Sequence, residues 1–264
     1  SVISLVVLIP LILYLGGPHR LRTPFTGIHM ARGALFATGF AMFYTAFPFM
    51  GLAEVTTIFF SAPLITAVMA SVFLGETIGP HRIGALLVGF VGVIIAINPT
   101  GDGFSWVAIL PLLCAVSYAA SQVLARQIGE RESSLTVGLH TLGWSGVIIL
   151  PAGWLVNQFV PVATGFPHLA WGFPAQALSE PLTLALLGVL GMCGYILLSR
   201  AYQVASASLV APFDYTYLPL ATALGYFVFN EVPGVNTLIG MALIVAGGLY
   251  LGFRELRATR DTGE

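Results

Sequence analysis

The sequence contains no lysine, only two cysteines and just 8% charged residues among its 264. So little charge excludes a fold dissolved in water, because 57% of the chain is hydrophobic and its mean hydropathy is +0.93. Cys114 and Cys193 both fall inside apolar stretches, which excludes a disulfide framework and reads as two buried free thiols. Net charge is −1, so nothing supports nucleic-acid binding. Paired-histidine zinc spacing, a Cys–His cluster and a glycine-rich phosphate loop are all missing, and no metal, cofactor or catalytic group is predicted.

What the chain has instead is apolar length. A membrane-spanning helix needs about 20 apolar residues, and such runs lie near 2–16, 28–50, 54–75, 82–98, 104–127, 134–159, 182–203, 207–229 and 236–253. They are continuously apolar rather than alternating, which predicts helices and not barrel strands. The fold class is all-α, a polytopic bundle. The longest connection, about 160–181, carries Pro161, Pro167, Pro174 and Pro181 with Trp171 and Phe173, and reads as an aromatic loop at the headgroup level.

Threading the nine runs in order places all ten arginines in every second loop, from Arg20, Arg22 and Arg32 to Arg254, Arg257 and Arg260. The positive-inside rule then predicts a cytoplasmic carboxyl terminus. The two halves also repeat. An offset of 155 matches Gly33 with Gly188, Gly39 with Gly194, Ala46 with Ala201 and Glu76 with Glu231; an offset of 156 matches Gly84 with Gly240 and Gly92 with Gly248. The first repeat is read over 1–99, the second over 104–255, and 256–264 as a cytoplasmic tail. The second half has five runs and the first four, so the repeat predicts a further helix ahead of residue 1 and ten in all. Five per half, an odd number, inverts one half relative to the other, the arrangement of carriers that work by alternating access. A channel or ligand-sensing scaffold is the alternative, and an intramembrane enzyme a more distant one.

Residues 201–255, AYQVASASLVAPFDYTYLPLATALGYFVFNEVPGVNTLIGMALIVAGGLYLGFRE, strongly resemble the second repeat of EamA-type carriers of the drug/metabolite transporter superfamily. GLAEVTTIFFSAPLITAVMASVFLGETIGPHRIGALLVGFVGVIIAINP, residues 51–99, looks like the same module, and a Gly-Glu or Asn-Glu pair ends each fourth helix. The resemblance covers nearly the whole chain. It implies a ten-helix secondary carrier of small metabolites in a bacterial inner membrane, a monomer or homodimer without a bound cofactor. APFDYTYL is most similar to the branch that includes carriers of riboflavin and of S-adenosylmethionine, while other relatives export aromatic amino acids.

Several residues are candidates for the path. Asp214 lies about 10 Å inside its run at 1.5 Å per residue, where a charge is costly unless it faces a wet cavity or a partner. Pro212 beside it frees a carbonyl and Tyr215 and Tyr217 supply hydroxyls, which suggests a broken helix lining a path, and Arg200 is the alternative partner that would make Asp214 a tether. Tyr118 and Gln122, His140 and Trp144, each pair at i,i+4, join Tyr44 and Tyr195 as a polar and aromatic set suited to a flat or zwitterionic molecule. Polar helix-to-helix packing explains the same residues. Glu76 and Glu231 precede Gly79–Pro80 and Pro233–Gly234, and are read as fixing turns or capping the next helix. His140 and Asp214 are the candidates for a coupling proton; His19, His29 and His81 are read as interface residues beside the arginines, and His168 as part of the outer loop.

Overall fold

A computed structural model describes residues 21–75, 79–98, 105–128, 131–159, 181–204 and 215–261, with short pieces at 5–6, 9–10 and 13–14. The helices are α1 (Thr26–Ala46), α2 (Leu52–Phe59), α3 (Ala62–Leu74), α4 (Pro80–Ile97), α5 (Ile109–Ile128), α6 (Ser134–Phe159), α7 (Pro181–Val204), α8 (Tyr217–Phe229) and α9 (Val235–Asp261). No strand occurs among the described residues, and the protein is a helical membrane bundle. Leu52–Leu74, Trp106–Ile128, Leu135–Val156 and Val235–Arg254 are each long and apolar enough to cross a membrane.

Eight of the nine apolar runs correspond to these helices once α2 and α3 are taken as the two parts of one run. Most of the run at 2–16, the aromatic loop at 160–180, and residues 205–214 lie outside the described residues. One boundary differs. The expected tail from residue 256 continues α9 to Asp261, because Leu256, Arg257 and Ala258 are good helix formers with no glycine or proline among them to stop the turn.

Side-chain size is sorted in the manner the bilayer requires. Buried positions are largely small, among them Ala46, Ala53, Ala62, Ala70, Ala85, Ala115 and Ala119, whereas Phe73, Leu87, Leu182, Leu187 and Phe227 lie on the outside. Lipid tails are as apolar as leucine, so burial of large side chains does little to drive these helices together; close approach and interhelical polar contacts do.

Two compact units emerge, Ser1–Thr38 with Leu124–Ala201, and Gly39–Val123 with Tyr202–Glu264, each drawing helices from both sequence halves. In the second unit α4 packs on α9, the final helices of the two repeats. A Cβ added at Gly240 would lie 2.5 Å from the Gly92 carbonyl oxygen, and one added at Gly92 would lie 2.8 Å from that of Gly240. Gly247 faces Ala85 and Gly89 further along, so the two helices run antiparallel. Val93, Leu218, Met241 and Ile244 close the core beside this crossing.

Helix ends in this unit follow one scheme. Gly75 (φ 70°) and Asn230 (φ 55°) end α3 and α8 in the left-handed region, which explains the residue types in the Gly-Glu and Asn-Glu pairs. After Asn230 the Glu231 amide donates to the Gly225 carbonyl at 2.9 Å, closing the last turn of α8. Its side chain returns to the start of α2, where Oε2 accepts the Leu52 N–H at 2.6 Å. That amide is one of the four a helix N-terminus leaves unmatched, and the end of the helix carries partial positive charge. Gly51 and Gly225 leave room for the carboxylate, since a Cβ there would come within 3.0 and 3.3 Å of Oε2.

Gly240→Val is expected to lower the thermal unfolding temperature in detergent or to prevent assembly, overpacking of this kind costing about 1–3 kcal/mol or more. Gly84→Ala, at the repeat-equivalent position where a Cβ meets nothing within 4 Å, is expected to be neutral. Glu231→Ala should cost about 1.5–3 kcal/mol through the lost charge-assisted bond, with Glu231→Gln milder; equal unfolding curves for all three proteins would contradict the assignment.

Candidate functional site

The most distinctive local feature of the second unit is an interrupted run. α2 stops at Phe59, Phe60 and Ser61 form a turn, and α3 begins with Pro63 in its first turn, where the missing N–H costs nothing. Ser61 donates to the Ile58 carbonyl at 2.7 Å, and Thr56 and Thr57 likewise bond the carbonyls of Leu52 and Ala53, so the buried hydroxyls stay within their own segment. An offset of 155 carries Phe60 onto Tyr215 and Ser61 onto Thr216, and there too a turn precedes a helix, α8, with Pro219 in its first turn. The two repeat-equivalent rings meet, their centroids 6.1 Å apart.

Aromatic side chains extend from this point. Phe60 stacks on Tyr217 with centroids 5.5 Å apart and an interplanar angle of 21°. Phe60 also meets Phe59 at 5.7 Å, Phe59 meets Tyr118 at 5.5 Å and Phe40 at 6.1 Å, and Phe40 meets Tyr44 at 6.3 Å. Most of these are tilted or edge-on pairs, the arrangement that the ring quadrupole favours. Tyr44 and Tyr217 are 65% and 49% exposed, more open than the half-buried Phe40, Phe59, Phe60 and Tyr118 between them.

The residues singled out in the sequence separate into two groups. Tyr44 and Tyr118 join the aromatic series, and Gln122 follows Tyr118 by one turn on α5, half-buried. Tyr215 is enclosed: its ring lies against Gly248, and it packs with Leu218, Met241 and Ile244. Its neighbour Tyr217, read with it as a hydroxyl-bearing residue of the same segment, holds the open position. Phe59 and Phe60 were missed; the Phe60-Ser61 pair in register with Tyr215-Thr216, with Pro63 following two residues after the first pair and Pro219 three residues after the second, was the available signal. Asp214 and Glu76 lie outside the described residues, as do the side chains of Tyr195 and Arg200.

His140 and Trp144 belong to the first unit. Trp144 packs where Gly33 of α1 leaves space, a Cβ there falling 2.5 Å from that of Trp144. His140 donates from Nε2 to the Leu21 carbonyl at 3.1 Å, and its ring stacks on that of His29 with centroids 5.1 Å apart. His29 is fully buried, and its Nε2 lies 2.8 Å from Glu132 Oε2. Thr23 donates its hydroxyl to the other oxygen of Glu132. Reading His29 as an interface histidine therefore missed its burial; it and Glu132 are 103 residues apart, and no local pattern joins them.

A cavity of about 280 Å³ in the second unit lies between the ends of α2, α4 and α9, with Glu54, Asn98, Ser105, Asn236 and Thr237 among its lining residues. Among the described residues no three His, Cys, Asp or Glu side chains gather as metal ligands would.

Comparison with known proteins agrees with this architecture. The chain is 29% identical to a riboflavin transporter of Rhizobium johnstonii, over 91% of this chain and 74% of that protein. It is 29% identical to an S-adenosylmethionine uptake transporter of Rickettsia bellii, over 97% and 82% of the two. A protein known from a crystal structure shares the fold at 22% identity, with a TM-score of 0.60 covering 97% of this chain and 85% of that one. Residues 1–98 and 105–253 match the EamA-like transporter family, and the chain belongs to that family of membrane transporters.

Proposed function

We propose that the protein is a secondary carrier that moves a small metabolite with a flat ring, of flavin or nucleoside-like type, across the cytoplasmic membrane by alternating access. The observation that carries this reading is the aromatic series at the helix interruptions, open at Tyr44 and Tyr217. A planar ring system binds such faces by offset stacking and edge contacts without needing a charge partner. Interrupted helices meeting near the middle of a repeat protein are where carriers place their cargo. The names of the riboflavin and S-adenosylmethionine transporters support the same chemistry, both cargoes carrying a fused heteroaromatic ring.

In this reading Tyr44, Tyr118 and Tyr217 hold the ring, Gln122 offers a hydrogen bond at its edge, and Asp214 stands on the path as a gate or polar contact. The antiparallel glycine contact of α4 and α9 lets the two repeats shift against each other while the site opens to either side. The arginine-bearing ends and the carboxyl terminus face the cytoplasm.

Reconstituted protein is expected to show saturable riboflavin or S-adenosylmethionine counterflow. Tyr44→Ala and Tyr217→Ala should each weaken apparent affinity about two- to tenfold, the equivalent of about 0.5–1.5 kcal/mol per lost aromatic pair. The corresponding Phe variants should stay near wild type. Asp214→Asn should abolish flux without changing the unfolding temperature. Linear, unsaturable flux would identify a channel instead, and wild-type affinity in both Ala variants would remove the tyrosines from the site.

A further inference from the structure

The cluster around His29 has no part in the cargo site, yet it is built as few structural clusters are. His29 lies in the first turn of α1 with no exposed surface, and the Glu132 side chain is 5% exposed. Glu132 immediately precedes Ser133, whose hydroxyl accepts the Thr136 amide at 3.2 Å at the start of α6, so the carboxylate sits in the favourable field of that helix end. Both of its oxygens are engaged, one by Thr23 and one by His29. An imidazole that donates from Nε2 to a carboxylate is complete as a neutral ring with a bare Nδ1, and Nδ1 of His29 is buried with no hydrogen-bond partner. A vacant basic nitrogen, enclosed and one ring away from a carboxylate, is a place for one more proton.

The charges acting on that nitrogen are opposed. Burial is the largest influence and disfavours the imidazolium, as do His140 on α6 and Arg32 on the same helix, while the hydrogen bond and charge of Glu132 favour it. His140 is itself held by the Leu21 carbonyl, so its ring stays stacked at 5.1 Å and takes part in any change of charge on His29. We propose that His29 and Glu132, with His140 stacked against them, form a proton-binding site through which the carrier responds to a pH gradient. Taking up the proton converts a neutral imidazole hydrogen-bonded to a carboxylate into an imidazolium–carboxylate pair; releasing it restores the first state, and no other reactant is needed. α1 carries His29 in its first turn and Tyr44 in its last, so a change of charge at one end acts on the helix that bears an open ring of the cargo site.

The coupling role rests on the carrier reading; the proton site itself does not. Histidine-labelled wild-type protein in lipid vesicles, followed by solid-state nitrogen NMR, is expected to show the His29 ring passing from neutral to doubly protonated as the pH is lowered across the range in which the protein stays folded. Glu132→Gln should shift that transition by about tenfold in proton concentration or more. In proteoliposomes with riboflavin and S-adenosylmethionine as probes, His29→Gln should retain exchange at equal pH and lose the acceleration that a pH gradient gives the wild type. A His29 ring that stays in one state across the range would overturn the proposal, as would full pH-driven acceleration in both His29→Gln and Glu132→Gln. Titration of His29 in a protein that exchanges neither probe would overturn the cargo reading and leave the proton site supported.

Discussion

The contact on which the described structure depends most is the approach of α4 and α9 at Gly92 and Gly240. In water two apolar helices associate because their side chains leave the solvent; in a bilayer that gain is largely absent, and association rests on dispersion between closely fitted surfaces and on polar contacts. Each glycine brings one backbone against the carbonyl of the other, a separation that a methyl group would already forbid. With the pair set at that distance, Tyr215 lies against Gly248 and Leu218 and Ile244 fill the space alongside. The position of α8, and with it Tyr217, therefore follows from two residues without side chains.

Interrupting helices inside a membrane raises a second requirement, because every freed amide and carbonyl needs a partner. At the interruption Ser61 gives both its amide and its hydroxyl to the Ile58 carbonyl and Phe60 gives its amide to that of Thr56, while Pro63 and Pro219 stand where no donor is needed. The start of α2 is served from a distance of 179 residues by Glu231. A carboxylate performs this better than a neutral acceptor, since it also meets the partial positive charge of the helix end. The same reasoning explains why a negative charge is tolerated in so apolar a chain at that point.

Much of the fold was legible in the sequence because the bilayer imposes a length and a composition that folding cannot disguise. The run read at 134–159 coincides with α6, Ser134–Phe159, and the glycines matched by the repeat include the pair at the α4–α9 crossing. The interruption after Phe59 was not legible from hydropathy, as both sides of it are apolar; only the recurrence of aromatic, hydroxyl and proline in two registers marked it. Of the candidate site, Tyr44 and Tyr118 were visible as aromatic residues at depth, and their partners Phe40, Phe59 and Phe60 resembled ordinary lipid-facing phenylalanines. His29 was the hardest to read. Beside Arg32, near the end of a run, it has the sequence of a surface histidine, and its burial is created by segments more than a hundred residues away.

The two kinds of contact differ in what they permit. A glycine crossing is held by dispersion spread over many closely fitted atoms, with Leu243 and Ile244 against Gly92 and Ala96 against Gly240. Hydrogen bonds from the Leu52 amide to Glu231 and from His29 to Glu132 are directional and short, and they weaken steeply once the geometry departs from the optimum. A charge placed in such a bond acts at one point and with one sign, so altering it favours whichever arrangement of the neighbouring groups suits the new charge, whereas a change of apolar surface acts through packing alone.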